Sequence, residues 1–113
     1  MKNNKTYMTI LYFNFGIKER INVGLMMFND NGICLIKIKK TKMSWVNKTS
    51  ESFSLFEYAV NSFVTFYKEN IPEYNIILRT ANYNNGVFKI DQPSYIEIDL
   101  TKENFNRFFD KHI

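Results

Sequence analysis

Two apolar runs meet at an Asn-Gly pair, Asn31-Gly32, and this pair constrains the fold more than any other feature of the chain. Both residue types accept positive φ, so a tight reversal there folds "RINVGLMMFN" back onto "ICLIKIKK" as a β-hairpin. An earlier run, "TYMTILYFN" from Thr6 to Asn14, is also rich in β-branched and aromatic residues and is joined by a link containing Gly16. It is expected to pair with the second run, giving a three-stranded meander. In the third strand the two-residue period puts Cys34, Ile36 and Ile38 on one face, with Ile33, Leu35, Lys37 and Lys39 on the other. One face is core, and the other turns basic toward its end.

Gly24 interrupts the apolar run of the second strand, where a glycine marks a bulge or a close approach of ligand or backbone. Asn22 and Gly24 are two residues apart, so they are expected on one face, opposite Ile21, Val23, Leu25 and Met27. Two readings follow. In the structural one, the missing bulk lets Trp45 or a helix aromatic lie across the sheet while Asn22 ties down nearby backbone. In the functional one, Asn22 is a polar contact in a pocket floored by Gly24, with Glu19 close by.

Beyond a polar link, "SESFSLFEYAVNSFVTFYKEN" spaces Phe53, Phe56, Val60, Phe63, Val64 and Tyr67 by three and four residues. With Thr49 or Ser50 as N-cap and Pro72 as the stop, this predicts an amphipathic helix over 50–69. "YNIILRTANYNNGVFKID" reads as a second hairpin about Asn85-Gly86, or as a loop over Asn82 to Asn85. "SYIEIDL" alternates, with Ile96, Ile98 and Leu100 inward and Tyr95, Glu97 and Asp99 outward. A closing helix starts at a Thr101 cap and buries Phe105, Phe108 and Phe109. The fold class is α+β: an antiparallel sheet of about four to six strands with one long helix on one face and a short C-terminal helix. Residues 1–113 form one domain in this reading.

The pattern "ERINVG", carrying Glu19, Asn22, Val23 and Gly24 and followed by "LMMF" and a turn, resembles the bacterial family catalogued as domain of unknown function 3037. So does "GVFKIDQPSYIEIDLTKENFNRFFDKHI", with its glycine-apolar strand, proline, strand and a helix ending in a Phe-Phe pair. The likeness runs over nearly the whole chain. The aromatic first strand "LYFNFGIKE" departs from the arginine- and proline-containing segment of that family. The resemblance brings no established activity, and implies a small bacterial accessory protein, some members being encoded beside kinase-like toxin genes.

At 45% hydrophobic and 17% aromatic, the chain is far from the composition of disordered proteins. Cys34 alone cannot form an internal disulfide, the N-terminus lacks a signal-peptide pattern, and no run reaches the length of a membrane span. A reducing cytoplasm is the expected setting, and the sequons at Asn4 and Asn47 are incidental. The abundance of Asn, Lys, Ile and Phe fits low-GC coding.

Charge is the most suggestive functional feature. Lys37, Lys39, Lys40, Lys42 and Lys48 lie between residues 31 and 50 with no acid among them, against a net charge of +4 for the whole chain. Lysines interleaved with Met43 and Trp45 have the ingredients of a nucleic-acid surface. Lysines also guard strand edges against aggregation. Glu97 and Asp99, with Asp91 or Glu103, offer oxygen ligands to a hard cation or simply form a solvated strand face. His112 lies at the chain end and Cys34 on the core face, so no catalytic pair is expected, and no metal spacing or phosphate loop implies a cofactor. The leading expectation is a non-enzymatic accessory protein of a bacterium or phage, linked to a toxin or defence system. It would bind another protein through Tyr12, Phe13, Met26, Phe28, Met43 and Trp45. The alternative is nucleic-acid binding through the Lys37 to Lys48 surface. A homo-oligomer is compatible with either, and a membrane partner with neither.

Overall fold

A computed structural model describes residues 5–15, 20–49, 53–83 and 86–113, with the backbone alone at 47–49, 53–55 and 83. Its element order is β1 (Lys5–Asn14), β2 (Arg20–Asn29), β3 (Cys34–Ile38), α1 (Lys40–Thr49), α2 (Phe53–Glu69), α3 (Tyr74–Tyr83), β4 (Phe88–Ile90), β5 (Ser94–Glu97) and α4 (Lys102–His112). The five strands form one antiparallel sheet in the order β3-β2-β1-β4, with β5 pairing β1 beside β4. The expected α+β class and antiparallel sheet are therefore present. Among the described residues no helix is long and apolar enough to cross a membrane.

The β2–β3 hairpin forms at the Asn-Gly pair, but by a longer reversal than a two-residue turn. The Asn29 N–H donates to the Ile33 carbonyl across the loop, and only Gly32 takes a left-handed conformation, at φ 86°. The Asn29 side-chain oxygen accepts from the N–H groups of Asn31 and Ile33 and holds the intervening turn. This is the three-residue loop in which a turn is followed by a left-handed glycine.

Both faces of the sheet are covered. On one, Leu11, Phe13, Val23, Met26, Phe28 and Ile90 pack beneath Val46 of α1, Val60 of α2 and Ile77 of α3. On the other, Leu25 and Met27 pack with Leu100 against Phe105, Phe109 and Ile113. The predicted stripe of α2 is on its buried side, since Phe56, Val60, Phe63, Val64 and Tyr67 all join the first core; the Phe53 side chain lies outside the described residues. The three-and-four spacing turns these side chains onto one face of the helix. Thr101 caps α4, its hydroxyl accepting from the Asn104 N–H, and Ile96, Ile98 and Leu100 point into the second core.

Several expectations need correction. The "polar link" after β3 is helix α1, docked through Met43 and Val46. The first face therefore carries three helices rather than one. The Tyr74 segment is helix α3 and not the first arm of a hairpin, with Tyr74 against Tyr7 at 4.8 Å between ring centres and Ile77 and Ala81 one turn apart on the core. The hairpin proposed about Asn85-Gly86 rests partly on Asn85, outside the described residues, and β4 instead pairs with β1. Thr49 as a side-chain cap and Ser50 also lie outside them.

The sharpest correction concerns β2. Leu11 pairs with Gly24 but Tyr12 pairs with Asn22, so Val23 is an extra residue, a β-bulge. Paired residues share a face and consecutive residues alternate, so Asn22 and Gly24 stand on opposite faces of the sheet. Likewise Ile21 and Val23 join one core while Leu25 and Met27 join the other. Two buried hydroxyls secure the sheet's β4–β5 side. Thr6 donates to the Ile98 carbonyl at 2.7 Å, and Thr9 donates to the Asp91 carbonyl where that edge is interrupted before Pro93.

Candidate functional site

Gly24 closes its own question. A Cβ at this position would lie 2.6 Å from Ile38 Cδ1, 2.7 Å from the Lys37 carbonyl oxygen and 3.3 Å from Leu11 Cδ1. The absent side chain admits the neighbouring strand rather than Trp45 or a helix aromatic, and the space before Gly24 is filled. No pocket floor remains there. Asn22, on the opposite face, accepts from Arg20 Nε at 2.8 Å. Arg20 also makes two hydrogen bonds to Asp91, at 3.0 and 2.5 Å, and its guanidinium lies 3.8 Å from the centre of the Tyr12 ring. Asn22 and Tyr12 thus belong to a surface clamp joining β2 to the residue after β4. Glu19 lies outside the described residues.

The aromatic protein-binding set disperses. Phe13 and Met26 are 0% exposed and Phe28 is 1% exposed, so these three are core. Met43 is half-buried against the same core, while Trp45 is 56% exposed on α1 with the Lys42 ammonium 5.1 Å from its ring centre. The alternation that places Phe13, Met26 and Phe28 on a strand face says nothing of which helices cover that face, and α1, α2 and α3 do so together.

The lysines do not form one flat patch. Lys37 sits on the α4 side of the sheet, its ammonium 4.6 Å from the Phe109 ring centre. Lys40 lines a cleft on the α2 side. Lys39 and Lys42 lie between the end of β3 and the first turns of α1, and the Lys48 side chain lies outside the described residues. Lys37 and Lys40 therefore flank the same strand, β3, from its two sides.

That strand is the open edge of the sheet. The bonds Asn29 N–H to Ile33 carbonyl and Lys39 N–H to Val23 carbonyl fix the phase of the β2–β3 ladder, with Cys34, Ile36 and Ile38 opposite Phe28, Met26 and Gly24. In an antiparallel pair the residues of this non-bonded phase turn their N–H and C=O groups away from the partner strand. The peptide groups of Cys34, Ile36 and Ile38 therefore face outward, and among the described residues no hydrogen bond occupies them. The opposite edge differs: β4 and β5 are short and separated by Asp91 to Pro93, a break that blunts pairing.

Helix α2 runs beside β3, and a cleft opens at each end of the strand. The first, of about 360 Å³, lies between Gly32 to Ile36 and the end of α2 from Tyr67 to Pro72. The second, of about 350 Å³, is lined by Ile38, Met43, Val60, Lys40 and Glu57 among others. Cys34 and Ile38, on the same strand face, are separated by about 13 Å at strand rise. Sequence reasoning missed this arrangement because it depends on which strand ends up at the edge.

Burial pushes the Cys34 thiol up to about 11, and it raises Tyr67 as well, with the nearby Cys34 charge adding to the effect. The thiol is therefore protonated at neutral pH and is a wall of the cleft rather than a nucleophile. Iodoacetamide at pH 8 is expected to alkylate Cys34 in the folded protein roughly 100-fold more slowly than in guanidinium, because a thiol titrating near 11 instead of 9.0 carries about a hundredth of the thiolate. Equal rates would mean that the thiol is not shielded. The raised value also sets a pH trend. The folded state holds its proton where the unfolded thiol has lost it, so this contribution to stability is complete below about pH 9 and declines as pH rises toward 11.

Among the described residues no cluster of His, Cys, Asp and Glu could hold a metal ion. Compared with known proteins, the chain matches no family model, no curated protein and no solved structure.

Proposed function

We propose that this chain is a non-enzymatic protein-binding module that receives an extended segment of its partner as an added strand on β3. The observation that carries the reading is the row of outward peptide groups at Cys34, Ile36 and Ile38, bordered by α2 with a cleft of mixed apolar and polar lining at each end of the strand. In strand addition, main-chain hydrogen bonds supply affinity and pockets for alternate side chains supply selectivity. This keeps protein binding as the function and moves it from the aromatic set to the sheet edge. An accessory role in a bacterium or phage, as in the family resembled by "ERINVG", is compatible with such a module. Nucleic-acid contact has less support, because the lysines lie on two sides of a strand instead of along one groove.

Ile36→Pro is the discriminating variant. The Ile36 N–H points outward, so proline there removes a donor that only an incoming strand would use and no donor of the β2–β3 ladder. Selection from a displayed library of random peptides should enrich binders on the wild-type protein that lose at least tenfold in affinity on Ile36→Pro, while thermal unfolding confirms that the variant is folded. Enriched peptides that bind both proteins equally would reject the edge as the site.

A further inference from the structure

We infer, resting on the strand-addition reading, that the segment received by β3 is acidic: a stretch of another protein in which apolar residues alternate with Glu or Asp. An added strand presents alternate side chains to the two sides of the sheet. Those facing α2 meet Cys34, Tyr67 and Ile71 at one cleft and Ile38, Met43 and Val60 at the other. The apolar walls of these clefts accept apolar side chains, with Lys68, Glu69 and Asn70 at the rim of the first and Lys40, Glu57 and Asn61 at the second. Side chains facing the other way come alongside Lys37, which is exposed over Phe109.

The strand end adds to this field. Lys39, Lys40 and Lys42 gather where β3 passes into α1, and no carboxylate lies in the first turn of α1. Among the described residues none of Lys37, Lys39, Lys40 and Lys42 forms an ion pair; the one salt bridge joins Arg20 to Asp91. Glu57 in the second cleft and Glu69, beside Lys68, in the first are two acids against five bases. Cross-strand pairs of opposite charge stabilise a sheet and like charges directly opposite destabilise it, so this edge favours carboxylates. A second copy of the chain would bring a further +4 and the same lysines to the contact. The lysines thus disfavour self-pairing and favour an acidic strand.

Fluorescence anisotropy with the full chain at low salt tests the inference, using a labelled heptapeptide alternating Glu with Val and Ile, and the same peptide with Gln for Glu. The Glu peptide should bind about tenfold or more tightly than the Gln peptide. Lys37→Glu should reduce that preference several-fold, and Ile36→Pro should weaken both peptides. Equal affinities for the two peptides, both lost in Ile36→Pro, would leave strand addition standing and overturn the acidic preference. Binding indifferent to Ile36→Pro, or an oligothymidylate bound more tightly than the Glu peptide, would overturn the edge reading itself. So would the absence of peptide binding. If sedimentation then showed a dimer that Ile36→Pro dissolves, the edge would belong to a second copy.

Discussion

Gly24→Ala is expected to destabilise the fold by about 2–3 kcal/mol, the upper end of what overpacking a core usually costs. Of the three atoms that a Cβ would crowd, the Ile38 and Leu11 methyls can rotate aside, but the Lys37 carbonyl is part of the β3 backbone. Relief requires β3 to move away from β2, and the strand is tied on either side by the bonds Asn29 to Ile33 and Lys39 to Val23. A lowering of Tm by about 10 °C is the corresponding thermal result. Because the crowding falls between β2 and β3, the amide protons of Leu35 and Lys37 should lose hydrogen-exchange protection before those of β1. A variant as stable as the wild type would mean that the bulge at Val23 gives way freely.

Ending the chain after Leu100 is expected to have a larger effect. Helix α4 supplies Phe105, Phe109 and Ile113, which cover Leu25 and Met27 on the second face. Burying such a side chain is worth about 1.5–3 kcal/mol, so removing three costs about 5–9 kcal/mol. That is comparable with the whole stability of an ordinary domain, about 5–15 kcal/mol. The truncated chain should therefore be recovered as aggregate, or as a soluble species that binds ANS and has lost its cooperative unfolding transition. Retention of a sharp transition would show that the α1–α3 side of the sheet stabilises the domain alone. Thr101→Ala is the milder companion, removing the cap that accepts from Asn104 at a cost of about 1 kcal/mol.

Legibility in the sequence followed the strength of local signals. The β2–β3 hairpin, α2 and α4 all carry a strong period or a named turn or cap residue, and these elements formed where the pattern put them; the alternating Ile96-Ile98-Leu100 segment did so only in part, the strand ending at Glu97 while Ile98 and Leu100 still face the core. Helix α1 was hidden because Met43 and Val46 are its only apolar side chains on the first core, too thin a stripe to stand out among lysines. Helix α3 was hidden because the consecutive Ile76, Ile77 and Leu78 fit a buried strand as well as a helix. The bulge left only Gly24 as its trace, which announces a close approach without saying which residue is the extra one. The candidate site was less legible still. That β3 is an edge, and that α2 lies along it, are properties of strand order and packing, joining residues such as Gly32 and Ile71 that are far apart in the chain.

The extra residue at Val23 has a consequence for sliding. Two regular strands can exchange one register for another by moving two residues, since each side chain then finds an equivalent seat. With Val23 inserted, Ile21 and Val23 belong to one core and Leu25 and Met27 to the other, so any slip of β2 along β1 carries the irregularity out of place and puts apolar side chains on the wrong side of the sheet. The bulge acts as a locating pin. It fixes which groups of the neighbouring β3 look outward, and so a residue that touches no partner decides the phase in which one could be met.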